Sequence, residues 1–181
     1  MFRIEIAGQM AAWLLCRHGG SMPHLKLMEL LYLTERTCIE RYGFPALGDY
    51  LVSMPHGPVL SVTLDYMRGA GSPDNGWSKW VSLIQNHTVS LAREYKPEEL
   101  DLLSEVDVEV LQEVWDRFGN MEEWDIRDYT HNHCPEWKDP QGSSLPITYK
   151  YLLDILGYGE KSAEMAAELE AQRQIRTALL S

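Results

Sequence analysis

A chain of 181 residues that is 45% hydrophobic and carries six tryptophans can bury one sizeable core, which excludes a disordered protein. Its 27 acidic against 16 basic residues leave a formal net charge of −11. That balance opposes unaided binding to nucleic-acid phosphates and suits a basic partner. Cys16, Cys38 and Cys134 form no Cys-x-x-Cys pair, so neither a zinc ribbon nor a disulfide framework is indicated, and a reducing cytoplasm fits.

The opening MFRIEIAGQMAAWLLC has a short apolar run interrupted by Glu5 and Gln9, too short for a bilayer span and unlike a signal-peptide core. Spacings of three and four among Ala7, Met10, Ala11, Leu14 and Leu15 predict a helix over Ile4–His18, stopped by Gly19-Gly20. Ser21 is the expected N-cap of the next helix, with Pro23 in its first turn, and Cys16 and Cys38 are expected to fill the core.

Leu25, Leu27, Met28, Leu30, Leu31, Tyr32 and Leu33 make the following segment apolar on nearly every side. A helix of that kind should be buried, and Gly43 should end it in a left-handed turn. A shaped loop follows, with Gly48, Asp49, Pro55, His56 and Gly57. Gly57-Pro58 then predicts the start of another helix, since proline is tolerated in a first turn.

Residues 69–76, GAGSPDNG, read as a flexible connection. Alternation in Trp80–Ile84, a turn at Asn86-His87, and Val89 and Leu91 predict a small β-hairpin that leans on the core or gains a third strand near Tyr50–Ser53. Ser104 with Asp107 caps a helix whose inward residues are Val106, Val110, Leu111, Val114, Trp115 and Phe118, ending at Gly119. A helix from Met121 to about Tyr129, an irregular stretch over Thr130–Ser144, and a helix capped by Thr148 through Leu156 come next. The final helix, Glu160–Leu180, has a loose apolar stripe of Met165, Leu169, Ile175 and Leu179. The expected fold is mainly α (α+β): a compact helical domain around a buried central helix, with a small antiparallel sheet. Residues 1–157 form the domain and 158–181 a C-terminal helical extension.

The run Lys26–Thr34 followed by GDYLVSMPHGPV (48–59), with His131 ahead of Pro135-Glu136-Trp137, resembles the SocA-like antitoxin family, whose shared module is the Panacea domain. The resemblance implies an antitoxin that neutralises a cognate protein toxin by direct binding, by occlusion or by delivery to a protease. It assigns no catalytic residue, metal or cofactor. Contact with nucleic acid or membrane is not expected, and self-association is allowed.

The buried central helix, the shaped loop and the helix expected after it form a hub; its loop and the following hairpin are the candidate toxin contact through Asp49, Tyr50, His56 and Trp80, with Tyr66 and Trp77 as further aromatic anchors. Gly57, Pro58, His131 and Trp137 read as structural residues, the last two pinning their loop by a hydrogen bond and a buried ring. Two alternatives remain. His131, His133 and Cys134 could serve a metal-dependent hydrolase, although their spacing fits no standard zinc pattern. The chain could instead regulate its own operon, against which its acidity counts. No GxSxG elbow, phosphate loop or dinucleotide fingerprint is present.

Overall fold

The computed structural model describes residues 3–71 and 76–178, so part of the 69–76 connection and the expected end of the final helix, Leu179 and Leu180, lie outside the described residues. Helix α1 (Ile4–Arg17) buries Ile6 through Leu15, and a short strand β1 (Ser21–Pro23) leads into α2 (His24–Tyr42). Ser21 therefore lies in a strand, and Pro23 occupies the N-cap without a side-chain cap bond. Cys16, in the last turn of α1, is exposed, whereas Cys38 is buried.

Every residue of α2 from Lys26 to Glu35 is buried, polar ones included. That follows from its position: α1, the later helices over Glu105–Phe118 and Glu123–His133, and the strand Gly57–Leu60 all pack on it, leaving this stretch no face for water. Gly43 ends it with φ 74°, the left-handed turn expected there.

Strands β2 (Leu51–Met54) and β3 (Gly57–Leu60) form an antiparallel hairpin whose two-residue turn is Pro55-His56. Gly57-Pro58 thus opens a strand; helix α3 begins later and covers Ser61–Met67. The third strand is β5 (Leu145–Ile147), paired antiparallel with β2 in the order β3-β2-β5. Pro146 sits at its middle and has no N–H to offer, which blunts this open edge against further pairing.

The Trp80–Leu91 hairpin exists, closed by Asn86 and His87 at φ 50° and 63°, the positive pair that a tight hairpin turn of type I′ requires. Its regular part is only β4 (Thr88–Ser90), and this pairs with β1 instead of with Tyr50–Ser53. On the other arm just Val81 and Gln85 form isolated bridges.

Helix α4 (Glu105–Phe118) has the Ser104–Asp107 capping box read from the sequence, with Val110, Leu111, Val114 and Phe118 buried. Helix α5 runs Glu123–His133, starting later than expected and taking in the first residues of the stretch read as irregular. Thr148 accepts from Tyr151 N to cap α6 (Tyr149–Ile155), and α7 (Ser162–Ala178) packs back on α6. The architecture is mainly helical with small antiparallel sheets. No helix among the described residues is long and apolar enough to cross a membrane.

Candidate functional site

Three buried carboxyl groups shape the hub. Glu35 is fully buried and accepts from Leu47 N (2.7 Å) and Gly48 N (2.8 Å), tying the loop after α2 back onto that helix. Burial outweighs these two bonds and, with the Asp49 charge added, pushes its carboxyl up to about 7. Asp49 is also fully buried, and its Oδ1 accepts from Tyr50 N (2.6 Å) and Val62 N (2.9 Å). Its Oδ2 accepts from Thr63 N (2.9 Å) and Thr63 Oγ1 (2.8 Å). Asp49 thereby caps α3, a helix of 7 residues that has no cap of its own, from the preceding loop.

Glu29 differs from both. Its carboxyl lies against Gly57, and the neighbouring Thr130 hydroxyl donates to Arg127 O at 2.9 Å. Burial drives its pKa well above the ordinary carboxylate range, with only Thr130 and Arg127 of α5 pulling the other way. Gly57 has φ +128°, a region that side chains rarely adopt, and the space a side chain would need is taken by Glu29.

The segment after α5 closes over the same hub. Glu136, buried, accepts from Tyr32 Oη (2.7 Å) and Arg36 Nε (2.7 Å) of α2. Trp137 Nε1 donates to Met54 O (2.9 Å), and its ring stacks on His131 at 3.7 Å and 9°. The hydrogen bond here belongs to Trp137, whose ring is half-buried, and His131 contributes a stacked ring.

Two clefts flank the hairpin. One, of about 410 Å³, lies beside the Pro55-His56 turn and is lined by His24, Leu25, His56, His87, Glu123 and Trp124. The other, of about 280 Å³, lies by Tyr50 and Val52 and is bounded by Tyr149 and by Arg173 of α7. There the Arg173 guanidinium rests 3.9 Å over the Tyr50 ring.

Of the four residues read as toxin contacts, Tyr50 and His56 are exposed, while Asp49 and Trp80 are buried. Trp80 packs edge-on against Tyr95 (5.6 Å), and Trp77 is buried as well. Tyr50 and His56 stand at the two ends of β2, so they face different clefts. Trp124 and Glu123 were missed. They sit in the acidic run Glu122–Asp125, which reads as a solvated helix face. A tryptophan set directly between acids, Glu122-Glu123 before it and Asp125 after it, is the signal that marks them.

His131, His133 and Cys134 do not converge. His133 lies against Tyr129 (4.6 Å), while Cys134 is buried and its thiol is pushed up to about 12, chiefly by burial. Among the described residues no group of three or more His, Cys, Asp or Glu side chains could hold a metal ion.

Residues 27–138 match the family model described as "Antitoxin SocA-like, Panacea domain". No curated protein and no solved structure matches the chain.

Proposed function

Because the chain belongs to the SocA-like, Panacea-domain antitoxin family, we propose that it neutralises a cognate protein toxin by binding it directly. The observation that carries this reading is the extent of the match, which takes in α2 from Leu27 onward, the β2–β3 hairpin and α5 through Trp137. The loops of the hub are tied to α2 by Glu35 and Glu136 and to α3 by Asp49. A surface held in this way loses little conformational freedom on binding. The contact is made at the two exposed ends of β2, His56 beside one cleft and Tyr50 beside the other, while buried Asp49 holds the backbone at Tyr50. Occlusion of the toxin is the simplest mechanism. Delivery to a protease would add a shortened toxin half-life in cells.

Co-expression with the product of the neighbouring reading frame is the test. Growth should be rescued, and the two proteins should co-purify as a stable complex. Absence of both rescue and co-purification would sink the reading.

A further inference from the structure

The cleft beside His56 is built from four separate segments: the start of α2, the β2–β3 turn, the Asn86-His87 turn and the first turn of α5. Its most prominent side chain is Trp124, 48% exposed. An indole this open to water would ordinarily be free to turn, but this one is held from two sides. The Arg127 guanidinium lies 4.9 Å over its ring and is anchored by Asp128 at 2.5 Å, and His56 meets the ring edge-on at 6.2 Å. The facing wall is fixed too, because His24 Nδ1 bonds His87 O at 2.9 Å and the two imidazoles stack at 5.9 Å. An exposed aromatic side chain with its orientation already set is the kind of group that dominates interface energetics.

The charge around the cleft selects the occupant. Glu123 lines it, and Glu122 and Asp125, both exposed, stand on the same turn. Lys26 Nζ donates to Gly119 O at 2.8 Å, and Arg127, which lies over the Trp124 ring, has its charge paired with Asp128. A second copy of this chain would bring the same acids and a formal charge of −11, so copies repel one another. We propose that this cleft receives an apolar side chain presented by a basic segment of the toxin, with Trp124 as the anchor and Glu123 as its charge partner. This rests on the antitoxin reading and deepens it.

The purified chain is titrated calorimetrically with the toxin from the neighbouring reading frame, beside a growth-rescue assay. Trp124→Ala should weaken binding by about thirtyfold or more. Glu123→Lys should weaken it by about tenfold at low salt and by much less at high salt. Leu102→Ala, at an exposed apolar residue that lines neither cleft, should change it by less than about threefold. Both cleft variants alter side chains at the surface, and unchanged melting curves verify their folds. Wild-type affinity in folded Trp124→Ala and Glu123→Lys, with wild-type rescue intact, overturns this proposal alone. Sedimentation showing a dimer that Trp124→Ala abolishes assigns the cleft to a second copy and also overturns it. A wild-type chain that neither binds nor protects overturns the antitoxin reading, and this proposal with it.

Discussion

Gly57 rests so closely on the carboxyl group of Glu29 that a methyl carbon on residue 57 would stand 1.9 Å from Glu29 Oε1. The glycine of the GPV passage is therefore fixed by two independent demands, a φ of +128° and the presence of a buried acid on the helix beneath. Gly57→Ala should cost about 2–4 kcal/mol, combining backbone strain with overpacking. Glu29→Ala in the same chain should recover part of that loss. The double variant should then be less destabilised than the sum of the single ones, by about 1 kcal/mol or more. Urea unfolding of the four proteins checks it, and strict additivity would show that the two residues do not meet.

A carboxyl raised in the folded state makes stability fall as pH rises. Glu35, held at about 7 in the fold, binds its proton there between about pH 4.5 and 7, where the unfolded chain has already released it. Its contribution is thus fully present below about pH 4.5 and lost as pH climbs through 7, a change of about 3 kcal/mol. Glu29 acts with the same sign. In Glu35→Gln the Glu35 share of this slope should be lost, leaving that of Glu29, whatever the variant's absolute stability. Chemical denaturation at a series of pH values measures the difference, and parallel curves for the two proteins would refute it.

Local chemistry explains what was legible in the sequence. Ser104 with Asp107, Thr148 and Gly43 carry their capping signals within a few residues, and each ends or begins a helix as read. The buried helix α2 was visible because its apolar residues cover every side. Gly57-Pro58 misled because proline at a helix start and proline in a strand beside a tight turn share the same local requirements. The pairing of β3 with β2, with Ser53 opposite Pro58 and Met54 opposite Gly57, decides between them. Helix α5 was cut short because Pro135 suggested an earlier break, whereas the helix runs to His133. At the hub, burial of Asp49, Glu29 and Glu35 has no sequence signature, since the covering elements come from distant parts of the chain.

Asp49 separates support from contact. Asp49→Ala would leave the amides of Tyr50, Val62 and Thr63 without their acceptor and should cost about 2–4 kcal/mol. Tyr50→Ala, at a side chain 49% exposed, should cost less than about 1 kcal/mol. Thermal melts rank the two. A mild Asp49→Ala would mean that α3 is held by packing alone.

The thiols test whether Cys134 could be a nucleophile. At neutral pH a thiol pushed up to about 12 is almost wholly protonated, and the thiolate is the reactive form. Cys134 and Cys38 are also buried, while Cys16 is exposed at the end of α1. Iodoacetamide at pH 7.5 should therefore modify Cys16 first, with Cys38 and Cys134 reacting at rates that follow unfolding and that rise together in urea. Peptide mass mapping over a time course reads the order directly. Cys134→Ala should then keep its protection against the toxin, losing only the packing of a small buried side chain, about 1 kcal/mol. Rapid native-state labelling of Cys134, together with loss of rescue in a folded Cys134→Ala, would instead point to chemistry at the end of α5.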